Sequence, residues 1–245
     1  RFVGVSAGRL HTCGLTDAGA IECFGSNRRG QSNGYKPKLP TTKGERFVGV
    51  SAGEEHTCGL TNAGAIECFG YDHHGQSNRY KPLVNITAGK KFVGVSAGGS
   101  HTCGLTNAGA IECFGWTNSF QGYNRRGQSN GYKSILPTTK GERFVGVSAG
   151  ELHTCGLTDA GAIECFGFVS KPLPTTKGET FVAVSAGGSH TCGLTNAGAI
   201  ECFGKYGDVY GQSNGYKPKL PTTKGERFVG VSAGMEHTCG LTNAE

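Results

Sequence analysis

His11–Gly25, with the sequence H-T-C-G-L-T-D-A-G-A-I-E-C-F-G, decides the fold of this chain. Two β-prone runs flank the loop Asp17-Ala18-Gly19, and its glycine suits the left-handed position that a three-residue hairpin loop requires. The stretch therefore predicts a β-hairpin. It returns nearly unchanged at His56, His101, His153 and His190 and begins again at His237. Fold and function must accordingly be inferred from a repeat.

The two cysteines of each hairpin are predicted to face each other. When the loop closes at Thr16, antiparallel pairing brings Cys13 opposite Cys23. Directly opposed residues at a non-hydrogen-bonded pair have Cα atoms about 4.5 Å apart, a distance that a disulfide spans. The repeat thus predicts five disulfides, namely Cys13–Cys23, Cys58–Cys68, Cys103–Cys113, Cys155–Cys165 and Cys192–Cys202.

Cysteine usage favours an oxidising compartment. The 11 cysteines recur in ten-residue steps, and the chain lacks the short C-x-x-C spacing that is typical of zinc sites. We therefore expect disulfides, no metal and an extracellular location, either secreted or at the cell surface. No apolar run approaches the ~18 residues of a membrane span. Cys239 has no partner before Glu245, so we expect the last unit to be incomplete.

The repeat unit has the size of a propeller blade. Each unit opens with a strand-like run such as Phe2–Ala7, continues into the hairpin and ends in a polar linker. Short strands punctuated by Gly and Pro, without helical periodicity, favour an all-β fold. Units of about 45 residues that must stack to bury their faces indicate a β-propeller. A right-handed β-helix is the structural alternative, although its coils lack a regular hairpin.

We predict a single repeat domain over residues 1–245, as an incomplete fragment of a six- or seven-bladed ring. Its units span residues 1–45, 46–90, 91–142, 143–179 and 180–226, with a partial unit at 227–245.

Composition and charge exclude several functions. The net charge of +6 is scattered through the linkers. A nucleic-acid surface calls for clustered charge with stacking aromatics, and only Arg28-Arg29 and Arg125-Arg126 come close. We therefore expect no nucleic-acid partner. No unit adds a nucleophile with a base and an orienting partner, so we expect neither an enzyme nor a cofactor.

The repeated histidines could form a metal ring or act as general bases. Each lies at one repeat position, however, which favours a structural hydrogen bond to a neighbouring unit. The repeated glutamates, such as Glu22, are interpreted as the polar side of a strand. His73-His74 is the one local histidine pair and is interpreted as a polar loop.

The pattern V-S-A-G-x-x-H-T-C-G-L-T-x-A-G-x-I-x-C-F-G followed by G-Q resembles the repeat of the regulator-of-chromosome-condensation family. It is carried in the first unit by Ala7-Gly8, His11, Gly19, Phe24-Gly25 and Gly30-Gln31. The resemblance implies a seven-bladed β-propeller. The paired cysteines are similar to an extracellular branch that includes Crinkly-type receptor ectodomains and secreted bacterial repeat propellers. Because family members bind very different partners, the fold does not settle the function.

Two connections vary between units while the hairpin turn does not. The turn is Asp-Ala-Gly or Asn-Ala-Gly in every complete copy, whereas the residues after Ser-Ala-Gly and after Cys-Phe-Gly change. Since antiparallel strands reverse direction, the first and third connections of a unit share one face. One variable face opposite a constant face is typical of a binding surface. Neutral drift after tandem duplication is the alternative explanation.

The predicted binding residues are the aromatic and arginine side chains of the third connection, because these types are enriched at interface hot spots. They are Trp116, Phe120, Tyr123, Arg125, Arg126, Tyr206 and Tyr210. Asn85-Ile86-Thr87 is the one N-x-S/T sequon, and Asn85 is predicted to be a glycan acceptor in a secreted eukaryotic protein.

We therefore expect an extracellular propeller that presents one variable loop face to a protein or glycan partner, or that forms a unit of an extracellular assembly. A secreted inhibitor or regulator of an enzyme is the alternative. Nucleotide exchange on a small GTPase, which is the activity of the nuclear factor that names the family, is a remote alternative.

Overall fold

A computed structural model describes residues 1–77, 91–116, 134–168, 180–204, 221, 223 and 225–243. Within these residues the chain forms six small antiparallel sheets, one for each unit. The first strands of the units are β1 (Phe2–Ala7), β4 (Phe47–Ala52), β7 (Phe92–Ala97), β11 (Phe144–Ala149), β14 (Phe181–Ala186) and β17 (Phe228–Ala233).

The second strands are β2 (His11–Thr16), β5 (His56–Thr61), β8 (His101–Thr106), β12 (His153–Thr158), β15 (His190–Thr195) and β18 (Thr238–Thr242). The third strands are β3 (Ile21–Gly25), β6 (Ile66–Gly70), β9 (Ile111–Gly115), β13 (Ile163–Gly167) and β16 (Ile200–Gly204). The third unit adds a short fourth strand, β10 (Ser134–Ile135), beside β9, and the first unit adds a 3-10 turn at Asn33–Tyr35. The all-β prediction is confirmed.

The hairpin register is the one that the sequence predicts. Leu15 pairs with Ile21, and Cys13 pairs with Cys23. The Cα atoms of that cystine are 4.0 Å apart. The other four predicted pairs are also disulfides, and Cys239 is free and exposed.

The hydrophobic core lies between units rather than within them. The Cys13–Cys23 cystine and Ile21 of the first unit form one buried cluster with Phe47 and Phe69 of the second. The same arrangement repeats along the chain, with the cystine of one unit packed against the leading phenylalanine of the next. A unit therefore buries its hairpin only when the next unit stacks on it.

Gly59, in the middle of β5, shows why the repeat keeps glycine at this position. A Cβ on Gly59 would lie 2.4 Å from the Phe47 ring and 2.7 Å from Cδ1 of Ile21. The phenylalanine of the same unit and the isoleucine of the preceding unit fill the space that a side chain would need. The glycine thus allows the two units to approach closely.

Neighbouring units are also joined by hydrogen bonds between their first strands. The backbone N–H of Ala52 donates to Ser6 Oγ at 2.9 Å, and each later pair of units repeats the bond. The described units do not close into a ring. The first and last units accordingly expose apolar groups that are buried elsewhere: Phe2 is 49% exposed against 2% for Phe47, and Leu241 is 68% exposed. No helix in the described part of the chain is long and apolar enough to cross a membrane.

The buried cystines make a testable contribution to stability. Replacing Cys58 and Cys68 together with serine removes a cross-link that closes a loop of about ten residues, which is worth roughly 2 to 3 kcal/mol. We expect Tm to fall by on the order of 5 °C or more in thermal unfolding followed by circular dichroism. The matched control is Cys239→Ser, which removes a free thiol and leaves Tm unchanged. An unchanged Tm for the double variant would contradict this account of the core.

Candidate functional site

The two variable connections lie side by side on one face in the first four units, where the structure describes the start of both. Ser26 N donates to Leu10 O at 2.8 Å, and this bond links the third connection of the first unit to its first connection. Three further units repeat it, through Tyr71 N to Glu55 O, Trp116 N to Ser100 O, and Phe168 N to Leu152 O. We call this surface the loop face. The surface formed by the hairpin turns, such as 17–19 and 62–64, is the turn face.

The constancy of the turn face has a packing cause. Phe47 N donates to Gly19 O at 2.9 Å, so the turn of one unit receives the leading strand of the next. Gly19 has φ of 78°, and a Cβ there would lie 2.4 Å from Cβ of Arg46. Within the second unit, Asn62 Oδ1 accepts a hydrogen bond from Arg46 N at 3.1 Å. The bond at Gly19 joins two units, and the bond at Asn62 ties the turn to the start of its own unit. Together these contacts fix the turn residues.

A central cavity of about 330 Å³ is lined by residues from all six units. Its wall consists mainly of Ala and Gly at the ends of the first strands. A belt of hydrogen bonds runs along this wall, in which Arg9 N donates to Gly53 O at 3.2 Å and Glu54 N donates to Gly98 O at 3.1 Å. The side chains of Arg9 and Glu54 form an ion pair. The first variable residue of each unit thus lies at the centre of the loop face.

Five side chains from three successive units form a continuous row on the loop face, which we call the ladder. They are Arg29 of the first unit, Tyr71, His73 and His74 of the second, and Trp116 of the third. Arg29 Cζ lies 4.7 Å from the centre of the Tyr71 ring, as in a cation–π contact. The rings of Tyr71 and His73 are near-parallel, with centroids 6.0 Å apart. His73 meets His74 edge-on at 5.0 Å.

The last contact of the ladder joins the second and third units. The rings of His74 and Trp116 are stacked with centroids 4.4 Å apart and an interplanar angle of 23°. Trp116 is therefore half-buried. The reason is that the neighbouring loop supplies a ring against which the indole packs.

The second unit holds its part of the ladder in a tightly bonded loop. His74 N donates to Oε1 of the buried Gln76 at 2.9 Å, and Ser77 N donates to Asp72 Oδ1 at 2.9 Å. The carbonyl oxygen of Gln76 accepts a hydrogen bond from Thr102 Oγ1 of the third unit at 2.8 Å. The Gly-Gln motif thus anchors the variable loop to the next unit.

Electrostatics distinguish the two ends of the ladder. At one end, Arg29 Nε lies 3.8 Å from Glu55 Oε2 in a partly exposed ion pair. Toward the other end, burial and the neighbouring His73 lower the pKa of His74 below its usual value. The imidazole of His74 is therefore uncharged at neutral pH unless a carboxylate approaches it.

The repeated histidines are latches between units. His56 Nε2 lies 2.8 Å from Thr102 Oγ1, and because that hydroxyl donates its proton to Gln76 O, the imidazole Nε2–H donates to the hydroxyl. The equivalent pairs are His11 with Thr57, His101 with Thr154, His153 with Thr191, and His190 with Thr238. Within the described residues, no group of three or more His, Cys, Asp or Glu side chains is placed to hold a metal ion.

The repeated glutamates have a role that the sequence did not suggest. Both carboxylate oxygens of Glu67 accept hydrogen bonds from Thr41 N, at 3.0 and 2.9 Å. Glu164 holds Thr138 in the same way. The interpretation of these residues as simply the polar side of a strand was therefore incomplete, because the carboxylates fasten the preceding linker to the next unit.

Of the predicted binding residues, Trp116 is described and belongs to the ladder. Phe120, Tyr123, Arg125, Arg126, Tyr206, Tyr210 and the sequon residue Asn85 lie outside the described residues. Sequence reasoning missed Tyr71 and His74 as partners of Trp116. The available signal was that Tyr71 and Trp116 occupy the same repeat position, directly after Phe-Gly.

The Regulator of chromosome condensation (RCC1) repeat matches residues 2–31 and 47–76. No curated protein matches the chain. Among solved structures, the CRINKLY WD40 ectodomain of the Arabidopsis thaliana receptor kinase ACR4 is 26% identical with a TM-score of 0.70, over 98% of this chain and 76% of that one. These likenesses confirm the predicted propeller fold.

Two further structures share the fold at lower identity. The ectodomain of the Physcomitrella patens receptor kinase CR4 is 23% identical with a TM-score of 0.69, over 99% of this chain and 59% of that one. Prp20p of Saccharomyces cerevisiae is 17% identical with a TM-score of 0.75, over 100% of this chain and 70% of that one. The chain thus spans less than two thirds of the moss ectodomain.

The latch between units can be tested by removing its hydroxyl. Thr102→Val leaves the buried His56 N–H and the Gln76 carbonyl without a partner, which costs about 1 to 3 kcal/mol. Thr12→Val is the matched control, because Thr12 holds the same repeat position but is exposed and pairs with no histidine among the described residues. Urea unfolding should show the loss for Thr102→Val alone. Equal effects of the two substitutions would refute the latch.

Acid should loosen the units because the latch histidines are buried in the neutral form. Burial lowers the pKa of His56 and His101 to about 3 and that of His153 to about 4, against 6.5 in the unfolded chain. A depressed folded pKa means that the stabilisation is complete above pH 6.5 and is lost as the pH falls toward the folded value. Each histidine contributes at most about 1.4 kcal/mol per pH unit in that window.

The free energy of unfolding, measured from pH 7.5 to 4.5, should therefore decline below pH 6.5. His101→Gln should make the decline shallower, because one titrating group is gone. Ala18→Gln, at an exposed turn position without a titrating group, is the control and should leave the slope unchanged. A stability that does not depend on pH in this window would contradict the buried neutral state.

Proposed function

We propose that this chain, a β-propeller of RCC1-type repeats with paired cysteines, is an extracellular protein that binds a protein partner through its loop face. The observation that carries the proposal is the ladder, because it links exposed or half-buried arginine, imidazole and aromatic groups of three units on the face where both variable connections meet. Arg, Tyr and Trp are the residue types that most often dominate binding energy at interfaces.

The two faces differ in their contacts and in their sequence variation, and this difference supports the proposal. Residues of the turn face are engaged in contacts between units, as at Gly19 and Gly64. On the loop face, the buried Gln31 and Gln76 anchor the loops while the residues outside them differ from unit to unit. The loop face can therefore vary without loss of the core, which is the property that a binding scaffold needs.

Five disulfides support an extracellular location. Glutathione and thioredoxin keep most cytosolic thiols reduced, so structural disulfides belong chiefly to oxidising compartments. The similar CRINKLY structure is itself the ectodomain of a receptor kinase. An intracellular exchange factor would not need a cystine in each complete unit.

A protein is the class of partner that the extent of the ladder favours. The Prp20p structure concerns the binding of that protein to Gsp1p and histones. Its low identity means that neither partner is transferred to this chain. What supports a protein partner here is an extended row of contacts over three units, since protein interfaces are broad and relatively flat.

The experiment compares a loop-face variant with a turn-face variant. Trp116→Ala removes the indole that packs on His74, whereas Ala63→Arg places a bulky charge on the exposed hairpin turn of the second unit. Extracellular proteins captured by the immobilised chain are identified by mass spectrometry, and the affinity of the leading one is then measured by calorimetry. Trp116→Ala should weaken it roughly thirtyfold, as expected for a loss of about 2 kcal/mol.

Ala63→Arg should leave the affinity within about twofold of the unmodified chain. Circular dichroism of both variants shows whether the fold is retained. Loss of binding with Ala63→Arg and retention with Trp116→Ala would place the binding site on the turn face. The sequence variation of the loop face would then be a product of drift.

A further inference from the structure

The ladder presents mainly hydrogen-bond donors to a partner. Arg29 and Trp116 can only donate, and a protonated imidazole also only donates. The Tyr71 ring is covered by the Arg29 guanidinium, and the ring of His74 is stacked on the indole of Trp116. These ring faces are thus occupied by contacts within the ladder. A partner therefore meets mainly the N–H and O–H groups at the ring edges rather than open ring faces.

The charges around the ladder reinforce this donor character. Arg28 and Arg29 are both exposed, so two guanidinium groups lie at this end of the ladder. Two carboxylates lie close to the ladder, and both are already engaged. Glu55 pairs with Arg29, and Asp72 accepts a hydrogen bond from Ser77 N.

We propose that the ladder binds an acidic peptide segment of the protein partner and takes up a proton on His74 when it does so. This inference rests on the proposed function and specifies the chemistry of the partner. Carboxylates on the partner match both the guanidinium of Arg29 and the imidazoles of His73 and His74. Charge-assisted hydrogen bonds to arginine and to protonated histidine are among the stronger contacts that a carboxylate makes.

Proton uptake follows from the position of His74. The groups around the imidazole are His73, Tyr71 and Asp72 of its own loop, Trp116 of the next unit, and the Arg29–Glu55 pair of the ladder's other end. Burial and His73 disfavour the charged imidazole in the free chain. A carboxylate that arrives at the ladder favours the charged form. By linkage, the affinity rises as the pH falls, at most tenfold per pH unit for each proton taken up.

The probes are two synthetic peptides of equal length, one of alternating Glu and Gly and the other of alternating Gln and Gly. Their affinity for the complete chain is measured by calorimetry at pH 7.5 and 5.5 at constant ionic strength. The Glu peptide should bind at least about fivefold more tightly at pH 5.5 than at pH 7.5, consistent with partial uptake of one proton. The Gln peptide should bind at least tenfold more weakly than the Glu peptide at pH 5.5, by the same charge argument.

Two pairs of variants separate recognition from general charge and from folding. Arg29→Gln should weaken the Glu peptide about fivefold or more, while Arg46→Gln, which removes the same charge from the turn face, should change it less than twofold. The combined change His73→Gln and His74→Phe keeps a ring against Trp116 and removes both imidazoles. It should abolish the pH dependence, so that the Glu peptide binds equally at pH 7.5 and pH 5.5.

The inference is overturned if the Glu peptide does not bind, if it binds equally at both pH values, or if Arg46→Gln and Arg29→Gln weaken it equally. Tighter binding to heparin than to the Glu peptide would indicate a polyanion surface and would overturn it as well. The proposed function fails separately, when the natural partner is lost with Ala63→Arg and retained with Trp116→Ala. If the binding of the partner depends on Trp116 but the ladder does not prefer an acidic peptide, only the present inference is contradicted and the proposed function stands.

Discussion

The structure depends on one contact between neighbours, in which the phenylalanine that opens each unit packs against the cystine of the unit before it. Phe47 lies in one buried cluster with Cys13 and Cys23, and its ring fills the space above Gly59. No single unit contains both halves of this core. Each of the three groups, the disulfide, the phenylalanine and the glycine, contributes to the core only when a neighbouring unit is in place. The three therefore recur together.

This constraint separates the two faces of the propeller. The turn face is occupied in joining units, through bonds such as Phe47 N to Gly19 O. The histidine latches and the Gly-Gln motif tie the loops of the other face to the next unit by backbone and buried groups, so the outer loop residues are free to differ. The ladder from Arg29 to Trp116 occupies this free surface and combines residues that no single unit supplies.

The strand register and the cystines could be predicted because both follow from local spacing: a three-residue loop at Asp17 and antiparallel pairing place Cys13 opposite Cys23. Strand direction likewise placed both variable connections on one face. The ladder could not be predicted, since the stacking of His74 on Trp116 depends on the distance and rotation between units. The bond from Thr41 to Glu67 was missed for the same reason, because it joins a linker to a strand 26 residues away.

The central claim is that the loop face, and not the turn face, meets the partner. Hydrogen exchange measured by mass spectrometry on the free and partner-bound chain tests it most directly, since each face has its own backbone amides. The account predicts slower exchange on binding at residues 71–77 and at the first connections near residues 54 and 55, with no change at turns 17–19 and 62–64. Protection confined to those turns, with residues 71–77 exchanging as in the free chain, would contradict it.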